Sequence, residues 1–336
     1  MKKIINHPDK TVSELLRGMA KAHPELEYFE EAEVIARKNK AKKVGVISGG
    51  GSGHEPAHAG YVGYGMLDAA VAGNVFASPS PDRVLKGIQE ANSGQGVLMI
   101  IKNYSGDIMN FEMAKELAEM EEIRVEHVVV KDDVAVPDST YSTGRRGIAG
   151  TVFVHKIAGA KAEQGADLAE VKRVAEKTIA GVRSMGMAMS PCILPSVGKP
   201  NFILGEDEIG IGMGIHGEPG VNSTTTKSAA ELAGILLGKI LDDFDYSNAE
   251  AAVMVNGLGA TPLMELYILY NEIEKILAAK KVKVYKSFVG NFMTSLEMAG
   301  CSITVLKLDD ELKELLDFPC YTPALKQKPK DLCGKG

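Results

Sequence analysis

Short runs of β-branched and apolar residues recur along this chain, each emptying into a polar or glycine-rich turn and followed by a stretch of helical periodicity. Val44-Gly45-Val46-Ile47, Asp68-Ala69-Ala70-Val71, Gly96 to Ile101 and Arg124 to Val130 read as buried strands, because such side chains fit a covered, pleated surface. Between them the period changes. Val12, Leu15, Leu16 and Met19 share one helical face behind the capping-box spacing of Thr11 and Glu14, and Pro24 stops the run. Ser80 as a cap and Pro81 in the first turn open a helix through Val84 to Ala91. Further helices are predicted over Ile108 to Glu121, Thr151 to Gly165 and Leu168 to Arg183. Pro191, Pro195 and Pro200 then break the pattern between Gly186 and Asn201. Beyond it, Ile and Met alternate with glycine from Glu208 to Ile215, a strand whose bare face lies close to another backbone. A helix through Lys227 to Leu241, a strand Ala252 to Val255, a helix through Leu263 to Ala279 and strands Val282 to Val289 and Ser302 to Leu308 complete the chain. The repetition predicts an α/β architecture of two α/β domains, residues 1–185 and 186–336, each a mostly covered sheet flanked by helices.

Length agrees with two domains, since single cores rarely grow beyond roughly 250 to 300 residues and this chain has 336. A net charge of −6, with no long run of Lys or Arg, argues against nucleic-acid binding. No apolar stretch approaches the ~20 residues of a membrane span, and the start Met1-Lys2-Lys3-Ile4-Ile5-Asn6 lacks a signal peptide's apolar core. A cytoplasmic, membrane-free protein is expected. Cys192, Cys301, Cys320 and Cys333 are widely spread without a Cys-x-x-Cys pair, which favours reduced structural thiols over disulfides or a metal site. Lys326-Gln327-Lys328-Pro329-Lys330 reads as a solvated end.

The chemistry concentrates where strands end. Ser48-Gly49-Gly50-Gly51-Ser52-Gly53-His54-Glu55-Pro56 follows the first central strand as a glycine-rich loop. Its glycines remove the Cβ atoms that keep a ligand off the backbone, and His54 can take or give a proton near neutral pH. It is neither a Walker loop nor a Rossmann fingerprint. The strand ending at Ile101 delivers Lys102-Asn103-Tyr104-Ser105-Gly106-Asp107, with Lys102 as a ligand contact or an exposed strand end and Asp107 as a site carboxylate or a helix N-cap. Ligands in open α/β sheets bind at such carboxyl ends, so His54, Lys102 and Asp107 are candidates for one cleft. His216, in Gly214-Ile215-His216-Gly217-Glu218-Pro219-Gly220, is a site residue or a turn residue. Thr143-Gly144-Arg145-Arg146-Gly147 reads as a salt-bridged turn before an anion contact, His155 as a packed helix residue, and Leu263, Leu266, Tyr267 and Tyr270 as one core or interface face.

Taken together, Ser-Gly-Gly-Gly-Ser-Gly-His-Glu-Pro at 48–56, Ile-Lys-Asn-Tyr-Ser-Gly-Asp at 101–107, Gly-Ile-His-Gly-Glu-Pro-Gly at 214–220 and Leu-Gly-Ala-Thr-Pro at 258–262 resemble the K subunits of dihydroxyacetone kinases, in order and through nearly the whole chain. The resemblance implies a homodimer with dihydroxyacetone bound between the domains, its C2 carbonyl held as a hemiaminal by His216. It implies contacts from Gly51, Ser52, Gly53, Ser78 and Lys102, and a catalytic pair of His54 and Asp107, with His54 favoured as the base. No metal and no cofactor is implied in this chain. The resemblance is to the free-standing bacterial form, part of glycerol metabolism, in which ADP or ATP with Mg is carried by a separate L subunit recharged through the phosphotransferase system. The chain alone is then expected to be inactive as a kinase. The alternative is a dihydroxyacetone-sensing paralogue acting as a transcriptional co-activator; His54 and Asp107 beside His216 favour the enzyme, since a sensor has no chemical need of that pair.

Overall fold

The computed structural model describes residues 2–137, 144–218 and 220–329. Thr143, Pro219, Lys330 and Cys333 lie outside the described residues. Two six-stranded mixed sheets flanked by helices carry the fold, as the periodicity predicts. The first contains β1 (Leu26–Phe29), β2 (Val34–Arg37), β3 (Gly45–Ser52), β4 (Ala69–Val75), β5 (Val97–Lys102) and β6 (Val125–Val130), in the order β1-β2-β4-β3-β5-β6. Its four strands β4-β3-β5-β6 run parallel. Helices α1 (Thr11–Ala22), α2 (Pro81–Ala91), α3 (Ser105–Met120), α4 (Thr151–Glu163) and α5 (Leu168–Gly181) cover it. The second sheet begins with β7 (Val182–Ser190), β8 (Glu208–Ile211) and β9 (Asn222–Thr225). After α6 (Ala229–Asp243) come β10 (Glu250–Gly257), α7 (Leu263–Ala279), β11 (Lys283–Gly290) and β12 (Ala299–Leu308), giving the order β11-β10-β12-β7-β8-β9. Helix α8 (Asp310–Asp317) and the ribbon of β13 (Cys320–Tyr321) with β14 (Lys326–Gln327) return towards the first sheet, where Tyr321 N bonds Tyr64 O at 2.9 Å.

Helix α4 lies between the layers. Every residue from Thr151 to Ala160 is buried, the pattern of a helix with core on all sides. Its first turn is held by Asp132, whose carboxylate accepts from Ile148 N at 2.8 Å, Gly150 N at 2.9 Å and Ser184 Oγ at 2.5 Å, so one buried acid ties α4 to the start of the second sheet. One apolar cluster runs from Val46 and Ile100 of the first sheet through Phe153 and Ile157 of α4 to Met254 and Leu306 of the second.

Several local expectations are corrected. The glycine run is strand and not loop: β3 continues through Ser52, because Gly49, Gly50 and Gly51 stay in register with Val71, Ala72 and Gly73 of β4. Helix α5 stops at Gly181, and residues 182–190, read as helix end and linker, form β7. Thr11 does not cap α1; a 3-10 turn over Pro8–Lys10 leads into the helix and Thr11 Oγ1 donates to Pro8 O at 2.8 Å. The capping box that does form joins Ser228 and Glu231 at α6. On α7, Leu266 is buried and Tyr270 packs against the same core, while Leu263 and Tyr267 are exposed, so only part of that face is core. Cys192, Cys301 and Cys320 are free and buried.

Candidate functional site

Parallel β3 and β5 are neighbours, so their carboxyl ends deliver His54 and Lys102 side by side. The glycines of β3 make room for what crowds around them. A Cβ on Gly50, whose φ is +146°, would lie 2.3 Å from Lys102 Nζ and 3.2 Å from Asp107 Oδ2. On Gly51 it would meet the Phe76 backbone at 2.8 Å, and on Gly53 the Phe76 ring at 2.8 Å. Strand β3 therefore contributes backbone only, and its neighbours supply the side chains.

His54 is fully buried. Its Nδ1 lies 2.8 Å from the Thr294 carbonyl oxygen in the loop between β11 and β12. A carbonyl can only accept, so Nδ1 carries the hydrogen and Nε2 presents its lone pair. That Nε2 is 3.1 Å from Nε2 of His216. Burial, then the proximity of His216 and Lys102, push the His54 imidazole well below its ordinary pKa. The contact crosses between the sheets, and the same seam carries Leu296 N to Gly53 O at 2.7 Å, Thr294 N to His54 O at 3.1 Å and Thr294 Oγ1 to Glu55 O at 2.8 Å.

His216 follows β8 and is gripped by Glu218 two residues on. His216 Nδ1 is 2.8 Å from Glu218 Oε1, and the His216 backbone N–H donates to Oε2 at 2.9 Å. Burial pushes the Glu218 carboxyl up, but the hydrogen bonds and charge of His216 outweigh it and bring it down to about 2. Asn201 Nδ2 holds the His216 carbonyl at 2.8 Å. Tyr104 meets the His216 ring edgewise at 4.8 Å, and Phe76 does so at 5.1 Å while stacking on His54 at 5.1 Å. Phe76 has a φ of +58°, a left-handed conformation rare for a bulky residue, of the kind that clusters at functional sites.

Lys102 and Asp107 are both buried, with Nζ 3.3 Å from Oδ2. Asp107 is in the first turn of α3 and not at its cap, which is Tyr104. Ser78 is half-buried, and its Oγ accepts from Asn110 Nδ2 at 3.3 Å. Ser52 spends its hydroxyl on Gly73 O at 2.8 Å, leaving only its backbone for a ligand. The 144–147 turn is salt-bridged: Arg145 pairs with Asp243, and Arg146 Nη2 lies 2.7 Å from Asp133 Oδ2 and 2.7 Å from Gly212 O. His155 packs edgewise on His58 at 5.2 Å and takes no part in the cleft. Glu218, Phe76, Tyr104 and the Thr294 carbonyl carry no assignment from sequence. Only Glu218 has a sequence signal, its place two residues after His216 in the same turn.

Chemically, the cleft pairs a nucleophile with a proton carrier. With both Nδ1 atoms protonated, the two Nε2 atoms point lone pairs at each other, and at 3.1 Å the contact is attractive only with one proton between them. Beside them a buried ammonium and carboxylate can position a hydroxyl and take its proton.

A profile described as the Dak1 domain matches residues 17–324. The chain belongs to the Dak1 family. Among Dak1 relatives, it is 54% identical over 328 residues to a Listeria innocua protein named PTS-dependent dihydroxyacetone kinase 1, dihydroxyacetone-binding subunit DhaK, covering 96% of this chain and 100% of the relative. Of solved Dak1 structures, the C. freundii dihydroxyacetone kinase in complex with AMP-PNP and Mg2+ superposes with a TM-score of 0.91 at 37% identity, over 97% of this chain and 61% of that one. The operon co-activator DhaQ superposes with a TM-score of 0.90 at 36% identity, over 96% and 99%. Among the described residues of this Dak1 chain, no helix is long and apolar enough to cross a membrane.

Proposed function

We propose that this chain is the dihydroxyacetone-binding, catalytic subunit of a phosphoenolpyruvate-dependent dihydroxyacetone phosphotransferase. The observation that carries the reading is the His54–His216 contact beside the Lys102–Asp107 pair, in a chain 54% identical to a subunit of that name. His216 Nε2 attacks the C2 carbonyl and holds the substrate as a hemiaminal, which selects a ketone over a triol of the same size. His54 handles the proton of that step, because its Nε2 faces the attacking nitrogen. From sequence alone His54 is favoured as base for the terminal hydroxyl; the geometry supports giving that task to Asp107, with Lys102 holding the oxygen. Gly51, Ser52 and Gly53 offer backbone contacts and Ser78 a hydroxyl at the rim.

A nucleotide-bearing L subunit supplies the phosphoryl group, with ADP or ATP and Mg held there, and the chain works as a homodimer in the cytoplasm. Phosphoryl transfer has a loose transition state, so alignment by the adduct supplies most of the acceleration. The structural likeness to DhaQ supports a second reading, a dihydroxyacetone sensor. Intact-protein mass spectrometry with dihydroxyacetone, beside a phosphoenolpyruvate-coupled assay with the partner proteins, separates the two. Adduct and turnover, both lost in His216→Ala, are the expected result. Adduct without turnover from a verified partner set means the sensor, and neither means a different ligand.

A further inference from the structure

We infer that Glu218 is a positioning residue for His216: it holds the imidazole as the Nδ1–H tautomer with Nε2 aimed at the cleft, and it stays as counter-ion to the positive charge that adduct formation places on that ring. The inference deepens the proposed reading and rests on His216 being the nucleophile. Both Glu218 oxygens are committed to the same residue, one to the ring nitrogen at 2.8 Å and one to the backbone N–H at 2.9 Å. That two-point grip fixes the position of His216 as well as the plane of its ring. An ionised carboxylate only accepts, so the hydrogen is on Nδ1 and the lone pair on Nε2. Gly214 makes room for this carboxylate and for the Arg146 guanidinium. A methyl group on Gly214 would lie 2.1 Å from Glu218 Oε2 and 2.7 Å from Arg146 Nη1, so this glycine lets acid and guanidinium close around the loop.

The reaction balances around that arrangement. The Nε2 lone pair forms the bond to the ketone carbon, and the C=O π pair moves onto oxygen. The oxygen takes the proton shared between His54 and His216. Nδ1 keeps its hydrogen, so the ring, now alkylated at Nε2, carries one positive charge facing the Glu218 carboxylate, while His54 is left neutral. Carboxylates that orient a functional imidazole are worth about 10- to 100-fold when removed from metal sites, and a similar effect is expected here.

Two measurements decide it. In 15N-histidine-labelled wild-type protein, the His216 Nδ1 resonance should be that of a protonated nitrogen; a dominant Nε2–H tautomer overturns the inference, and no variant is needed to see it. In Glu218→Gln the dissociation constant of the ketone adduct, read by intact mass spectrometry, should rise about 10- to 100-fold, with Glu218→Asp recovering part of the loss. The reconstituted assay should show this in KM for the ketone, with kcat at saturation changed far less. An adduct constant in Glu218→Gln within twofold of wild type overturns it as well. A wild type that takes up no ketone removes the substrate reading instead, and the tautomer still tells whether Glu218 sets the ring.

Discussion

Gly50 leaves a methyl-sized space that the Lys102 ammonium already fills. Gly50→Ala forces that group off Asp107 and imposes a side chain at positive φ, so a loss of at least about 100-fold in turnover is expected, together with a lower melting temperature. Unchanged turnover in the coupled assay contradicts this packing. The buried histidines make a second claim. Burial holds His58 and His155 below their ordinary pKa, His155 at about 3. In the unfolded chain each binds a proton below about pH 6.5. The unfolded state then holds more protons, so stability is full above that pH and falls as pH drops towards 3, by up to about 1.4 kcal/mol per pH unit for each histidine. Urea titrations from pH 7 to 5 should show this slope, and His155→Leu should flatten it. His54, Lys102 and Asp107 were legible from sequence because strand ends concentrate chemistry. Phe76 and Thr294 were not, because Phe76 acts through a backbone twist and Thr294 through a carbonyl 240 positions from His54, neither of which leaves a side-chain signature.

Glycines in helices sort by what surrounds them. In α4, a Cβ on Gly159 would lie 2.3 Å from Met66 O, so Gly159→Ala should destabilise by about 1–3 kcal/mol. In α6, Gly238 has nothing within 4 Å of that position, and Gly238→Ala should stabilise by about 0.5–1 kcal/mol. Denaturant midpoints of the two variants should move in opposite directions; a shared direction contradicts the close packing of Gly159 on Met66. The elements the sequence hid follow the same logic of context over propensity. Strand β3 reads as ending at Ile47 because glycine disfavours strands, yet pairing with β4, which continues past the last β5 pair at Ser48, holds the run extended to Ser52. Strand β7, Ser184-Met185-Gly186-Met187 at its centre, lacks β-branched residues after Val182 and is imposed by pairing with β12. Long periodic segments such as α7 and β5 were legible to within a residue or two, since burial repeats there at the expected spacing.

At the scale of the whole molecule, each sheet has an apolar cluster of its own on one face, and a third cluster crosses α4 and joins the two. Far-ultraviolet circular dichroism and tyrosine fluorescence should report one coincident unfolding transition. Two separate transitions contradict the shared core. Tyr61 reaches across the seam to donate to Phe292 O at 2.6 Å, and Tyr61→Phe, which strands that carbonyl, should lower the midpoint of the single transition by the equivalent of about 1–3 kcal/mol.

The carbonyl of Thr294 has one further consequence. It belongs to the loop after β11, yet it decides which nitrogen of His54 bears hydrogen in the cleft of the first sheet. The reactivity of one half of the molecule is thus written by the backbone of the other. Without the 291–298 loop against the end of β3, nothing would fix the His54 tautomer that faces His216. The proton carrier of the cleft is thus set only while the seam is closed.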